Sequence, residues 1–362
     1  MTFVSEYKDL DFEKTNSGFV GMNSGKGFIC CYNDIFCESE LKKLYVIKGA
    51  PGTGKSTFMK RLASKSESIG LITNRYLCSS DPTSIDGVAL GSGIVVIDGT
   101  LPHSYELKYP GAISEIIDYT KFWDNNKLER FRSEIIYQSN QKSNYYAETY
   151  FRLKCEMNII KERLNSIVKL INYEKMNAQI KRLVASFGKA DGQGNSKLNV
   201  KRSVGMKGRV KICENYNSFT KVINISDVYG TAYLYMAELE KKLISNKFDI
   251  IISVDTVYPE LICDIIVPQL NCIITTDDAV NSNYTINMSR FVDATSLSEI
   301  RGFLRLSKKC ETMFANETDY YLSLVENAHF KLEEIYGSTM NFDFLENYSE
   351  MKINEIINYA AT

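Results

Sequence analysis

The chain has 362 residues, 44% of them hydrophobic and 24% charged, with a net charge of −1. That length carries two domains, and the near-neutral balance supplies no global field, which argues against nucleic acid as a partner. No apolar run nears the ~20 residues of a membrane span, and acids in the opening MTFVSEYKDLDFEK occupy the place of a signal peptide's apolar core; with nine cysteines in no metal-binding spacing, Cys30, Cys31 and Cys37 included, the reading is a cytoplasmic protein with reduced thiols.

Residues 1–16 are polar and read as loosely ordered. A short strand is expected over Gly18–Met22, then a turn at Asn23–Gly27 and a short element over 28–40. Lys43–Ile47 reads as a buried strand, and Phe58–Ala63 as the first turns of a helix. Between them lie Gly49, Ala50, Pro51, Gly52, Thr53, Gly54, Lys55, Ser56 and Thr57, which fit the phosphate-binding pattern G-x-x-x-x-G-K-[ST] in its required strand–loop–helix context. The glycines let the backbone approach a ligand closely. The loop N–H groups and the helix N-terminus offer donors to phosphate oxygens. Lys55 can reach the β- and γ-phosphates, the Ser56 hydroxyl is the expected Mg²⁺ ligand, and Thr57 caps the helix or donates to an inner phosphate. The expected cofactors are ATP and Mg²⁺.

Gly70–Leu77 reads as a second strand, with Cys78–Gly87 as a loop at its end, where open α/β sheets place ligand-contacting residues. The apolar run Ile94–Ile97 ends in Asp98, which would hold a Mg²⁺ water. Gly99 follows where many ATPases carry a water-polarising Glu, so Asp81 and Asp86 are the nearest candidate bases, and His103 a candidate phosphate contact. Residues 113–138 and 145–187 carry helical periodicity, with Ile160, Leu164, Ile167 and Ile171 in one stripe and Met176, Ile180, Leu183 and Phe187 continuing it after a shift. They predict an antiparallel helical arm turning near Asn140, Ser143 and Asn144. The stripe reads as core, and the arm's length suits a small-molecule, protein or dimer contact as well. Gly188–Lys211 is glycine-rich and basic and reads as a linker with a solvated charged face; Arg202 and Arg209 are the arginine-finger alternative.

The second half reads as a worn copy of the first, giving domains over 17–190 and 191–362. Val20–Met22 recurs as Val204–Met206, Tyr45–Ile47 as Ile223–Ile225, Gly52-Thr53 as Gly230-Thr231, Ser84–Val88 faintly within Leu261–Ile266, Ile94–Val96 as Cys272–Ile274, and Ser114–Ile116 as Ser298–Ile300. The chemistry is lost: Ala232, Tyr233 and Leu234 replace Gly54, Lys55 and Ser56, and Thr276, followed by Asp277 and Asp278, replaces Asp98. One nucleotide site per chain is expected. Asn246–Asp249 matches a guanine-recognition signature in letters only, since it ends a helix rather than following a strand.

Lys48–Ser56, Cys78–Asp81, Ser84–Val88 and Ile97–His103 together resemble the uncharacterised two-copy P-loop ATPases of spore-forming, low-GC Gram-positive bacteria. The resemblance implies an α/β fold with two P-loop-like sheets, each followed by a helical extension, and ATP binding with hydrolysis. That family usually keeps the loop in both copies, and this chain departs from it in the second. The residues leave three activities open: a slow or switch-like NTPase, a small-molecule phosphotransferase at the same site, and a nucleotide-binding scaffold.

Overall fold

Lys43–Lys48 and Ile94–Asp98 are near-continuous apolar runs, the pattern of strands covered on both faces. In the computed structural model, which describes residues 8–10, 17–36, 40–103, 105–277 and 280–361, they lie side by side and parallel, with Ile47 opposite Asp98. The first half contains β1 (Lys8–Leu10), β2 (Gly18–Phe19), β3 (Gly21–Ser24), β4 (Gly27–Cys30), α1 (Tyr32–Ile35), β5 (Lys43–Lys48), α2 (Lys55–Ser68), β6 (Thr73–Leu77), β7 (Ile85–Leu90), β8 (Ile94–Asp98) and β9 (Ser114–Asp118). Three helices follow: α3 (Asn125–Arg130), α4 (Arg132–Val168) and α5 (Tyr173–Ser186). The second half contains β10 (Ser196–Leu198), β11 (Arg202–Gly205), β12 (Gly208–Ile212), β13 (Lys221–Ser226), α6 (Ala232–Ser245), β14 (Ile250–Val254), β15 (Ile262–Val267), β16 (Cys272–Thr275), β17 (Tyr284–Asn287), α7 (Ala294–Thr339) and α8 (Phe342–Ala361).

The fold is α/β with two six-stranded mixed sheets. Their orders, β2-β6-β7-β8-β5-β9 and β10-β14-β15-β16-β13-β17, are the same order used twice. In each, one strand runs against its neighbours, β7 in the first and β15 in the second. Antiparallel β7 starts where β8 ends, so Asp86 and Asp98 reach the same sheet edge as the loop after β5.

The two halves exchange their last helices. The long helices α4 and α7 run antiparallel, as the successive pairs Lys142–His329, Arg152–Glu317 and Arg163–Glu311 show. Each therefore ends at the other half's sheet. There α8 places Ile353 and Ile356 in one core with Phe58 and Leu62 of α2, and α5 places Met176 and Ile180 in another with Tyr235 and Leu239 of α6. Each such side chain is worth ~1.5–3 kcal/mol on full burial. The joints match: Trp123 bridges Met340, and Val292 bridges Ile171.

Several sequence expectations are corrected. Residues 114–118 form a strand, because they pair in register with β5. No turn interrupts α4 at Asn140, Ser143 or Asn144. These three are exposed, so each costs the helix only a few tenths of a kcal/mol, and the antiparallel partner is α7. The shift in the apolar stripe is a real break at 169–172, after which α5 starts with Asn172 as its cap. Residues 188–211 are no solvated linker. They hold β10, β11 and most of β12, with Lys201, Arg202 and Arg209 buried against Glu214, Asp264 and Glu156. Residues 8–10 pair in parallel with β12.

The repeat also shifts. Ser298–Ile300 lies in α7, and the counterpart of β9 is β17, since both flank the strand that precedes the glycine loop. The hairpins turn at Ser24–Gly27 and Gly205–Gly208, so Val20–Met22 corresponds to Lys201–Ser203. Cys37 and Asp278 lie outside the described residues. Among the described residues no helix is long and apolar enough to cross a membrane.

Candidate functional site

A cavity of about 490 Å³ opens at the edge of the first sheet, over the loop between β5 and α2. Gly52 and Gly54 have φ of +72° and +88°, the left-handed region that glycine enters without a Cβ clash. A Cβ on Gly52 would also lie 2.5 Å from the Glu333 carbonyl oxygen, because α7 crosses directly over the loop. Gly54 caps α2 without a side-chain bond. Among the described residues the N–H groups from Gly52 to Thr57 have no acceptor in the protein. Unpaired donors at a helix start are the chemistry that anions seek.

Lys55 donates to the Ala50 carbonyl at 2.7 Å, with its Nζ 3.6 Å from Asp98 Oδ2. Thr53 also donates to the Ala50 carbonyl. Ser56 Oγ accepts the Ile85 N–H at 3.0 Å, which ties the loop helix to β7. Asp98 is split between two tasks. Its Oδ1 caps the following turn through the Thr100 N–H at 2.8 Å, while Oδ2 faces Lys55. Burial raises the Asp98 pKa against the pull of Lys55, and the Asp86 charge adds to the rise. Such a carboxylate gains from a further cation. Loop donors, ammonium, hydroxyl and carboxylate thus fit a nucleotide phosphate chain with one hydrated divalent ion. Among the described residues no cluster of three or more His, Cys, Asp or Glu side chains is set to hold a metal by itself.

The other predicted residues are placed differently. Asp86 is buried, with Oδ2 2.9 Å from His103 Nε2, although the ring N–H does not aim squarely at that oxygen. Burial opposes both charges. The pairing outweighs it, holding Asp86 below the usual carboxylate range and pushing His103 up to about 12. Asp81 lines the cavity, but its Oδ1 accepts the N–H and hydroxyl of Thr83. Arg202 and Arg209 are ion-paired to Asp264 and Glu156 and do not line the cavity. Asn246–Asp249 forms the turn after α6, where Asp249 accepts the N–H groups of Gln193 and Asn195.

The residues that close the cavity carry no signal of their own in the sequence. Lys142 and Tyr146 come from α4, His329 and Glu333 from α7, Phe342 from α8, and Met206 from the second half's hairpin. The Met206 N–H donates to the Ser80 carbonyl at 2.7 Å, and its counterpart Gly25 donates to Val257. Tyr32 is a second hidden contributor. Its buried hydroxyl lies 3.1 and 2.9 Å from the backbone carbonyls of Asp86 and Asp98, fixing both strands that carry the carboxylates. No local motif marks these side chains: the exchange brings His329, Glu333, Phe342 and Met206 from the second half, and Tyr32, Lys142 and Tyr146 reach the site from the first half's own helices.

The equivalent loop of the second half is filled from within. Asp227 follows β13 in the place of Gly49, and its carboxylate accepts the N–H groups of Tyr229, Gly230 and Ala232 and the Thr231 hydroxyl. Tyr233 lines a cavity of only about 80 Å³. Comparison with family models, with curated proteins and with solved structures found no match to this chain.

Proposed function

We propose that the chain is a Mg-ATP-binding P-loop NTPase with slow or switch-like hydrolysis and one nucleotide site. The observation that carries this reading is the row of N–H groups from Gly52 to Thr57, unpaired among the described residues and set beside Lys55 and Asp98. In this reading the loop donors and Lys55 hold the phosphates, with Lys55 exchanging its Ala50 carbonyl for a phosphate oxygen. Ser56 and Asp98 hold the hydrated Mg²⁺, which neutralises charge on the phosphates when bound. ATP as the nucleotide follows from the family resemblance.

Slow turnover follows from the carboxylates. Gly99 stands after Asp98, Asp86 is engaged by His103, and Asp81 caps Thr83. That leaves Asp81 Oδ2 as the candidate oxygen to orient an attacking water, since Oδ1 is held by Thr83. Isothermal titration with Mg-ATP tests the reading: binding should saturate near one nucleotide per chain and vanish in Lys55→Ala. Undiminished affinity in that variant, or two equivalent sites, would overturn it. Phosphate release without any acceptor separates hydrolysis from strict phosphotransfer or scaffolding.

A further inference from the structure

The two long helices place a polar relay over the intact loop. Lys142 of α4 donates to His329 Nδ1 of α7 at 3.0 Å, which places the ring proton on Nε2, and that nitrogen lies 3.4 Å from Glu333 Oε1. All three line the cavity over the loop. Burial lowers the Lys142 pKa; the Cys78 and Glu333 charges oppose the fall and the Lys55 charge adds to it. Two cations in one cavity repel unless an anion lies between them.

The molecule contains its own control. The same number of residues separates Trp123 from Val292 as Ile171 from Met340, which aligns α4 with α7. Carried along the helices, that spacing sets Glu311 at the place of Lys142, Ile160 at that of His329 and Leu164 at that of Glu333. Those three line the second half's cavity, over the self-filled loop. There Glu311 pairs with buried Arg163, and the other two positions are apolar. The helix pairing therefore does not require Lys142, His329 and Glu333, because the same packing is made by Glu311, Ile160 and Leu164. The relay accompanies the loop with Lys55 and Ser56 and is missing over the loop with Tyr233 and Leu234.

We propose that Lys142 is the second phosphate-binding cation of the site, positioned by His329 and Glu333, and that it reads the terminal phosphate, so that the site distinguishes a nucleoside triphosphate from a diphosphate. The inference rests on the nucleotide reading above. Lys55 reaches the β-phosphate, which both ligands carry, as well as the terminal one from the loop, whereas Lys142 approaches from the helix pair on the opposite side of the cavity. Its contact links the terminal phosphate to helices that span both halves.

The test compares a non-hydrolysable ATP analogue with ADP, each with Mg²⁺, by titration of the full-length chain. Lys142→Met should weaken the triphosphate roughly ten- to hundredfold, the scale of one charge-assisted hydrogen bond, with ADP affinity unchanged. His329→Gln removes the link from Lys142 to Glu333 and should lower the triphosphate preference by a smaller factor, about threefold, on loss of orientation alone. Its ratio provides the answer if Lys142→Met does not fold. A wild-type chain that binds both ligands, beside variants that keep the wild-type ratio, overturns this inference and leaves the nucleotide reading standing. A wild-type chain that binds neither overturns both.

Discussion

The two halves share strand order, loop position and long-helix pairing, yet one loop is open and the other closed on its own carboxylate. In the first, the N–H groups from Gly52 to Thr57 have no partner among the described residues. In the second, Asp227 supplies the anion. A strand–loop–helix turn with converging N–H groups favours negative charge, and the second half meets that preference with a side chain. The charges above each loop follow the same division. Over the open loop lie Lys142, His329 and Glu333 in a cavity, and over the closed one Arg163 and Glu311 are buried against each other.

The sharpest break of that comparison is at Arg163. Replacing it with Met leaves Glu311 as a buried carboxylate with Lys308 at 3.1 Å for compensation. Removing one partner of a buried pair destabilises by ~3–5 kcal/mol, so the denaturant midpoint should fall steeply. Glu311→Met added to Arg163→Met should recover most of the loss. A single variant within ~1 kcal/mol of wild type would mean the pair has no structural role.

The second expected effect comes from the hairpins. Asn23 of β3 makes neutral bonds, donating to the Val204 carbonyl at 2.8 Å and accepting from Tyr150. Arg209 of β12 is instead paired with Glu156 of α4. Burial raises the Glu156 pKa from its ordinary 4.5 to about 7, against the pull of Arg209. A carboxyl with a raised folded pKa holds its proton more tightly when folded. Its contribution is complete below about pH 4.5 and is lost as pH rises through 7. Stability should decline across that window by on the order of 3 kcal/mol, at ~1.4 kcal/mol per unit, and Glu156→Gln should flatten this part of the profile. An unchanged profile in the variant would assign the slope to another group.

At the sheet edges the contrast is Asp98 against Thr276. Asp98→Asn removes the carboxylate charge while keeping its size and the Thr100 cap. Nucleotide affinity should survive, since the loop N–H groups and Lys55 carry most of the contact, and turnover should fall at least ~100-fold. Asp81→Asn and Asp86→Asn belong beside it. The first should cost turnover less than Asp98→Asn, given its bonds to Thr83, and the second should lower stability by stranding His103. Full turnover in Asp98→Asn would reduce Asp98 to a turn cap.

What was legible in the sequence was local. The apolar runs of β5 and β8, the glycines of the loop and the helix after it each carry their signal within a few residues. The repeat was legible where spacing was rigid, at Gly52 and Gly230, and misread where short hairpins and β9 lack side-chain patterns of their own. Residues 188–211 looked like a solvated linker because their partners, Glu214, Asp264 and Glu156, include acids far away in the chain. Lys142, His329 and Glu333 were hidden for a related reason. An isolated polar residue on a long helix looks solvated until the opposing helix is known.

The smallest expected effect tests the comparison of the loops most directly. Asp227→Ala leaves the N–H groups of Tyr229, Gly230 and Ala232 without their acceptor. An unpaired buried donor costs ~1–3 kcal/mol; the Ala232 N–H is buried, whereas the part-buried Tyr229 and Gly230 N–H groups can turn to water. Burial also penalises the Asp227 charge, raising its pKa, so part of the lost bonding is offset. The net loss should fall near the low end. Inorganic phosphate should restore the variant's unfolding midpoint more than it raises that of wild type, because an anion bound only to the folded state stabilises it by mass action. Placing both chains in the Lys55→Ala background weakens the first loop's own response and leaves the second as the main source of difference. Formate, smaller than phosphate, should also restore stability if the vacated space is carboxylate-sized. A stable Asp227→Ala chain with no greater anion response than wild type would mean that the second loop needs no charge, and the parallel between an internal carboxylate and a bound phosphate would fail.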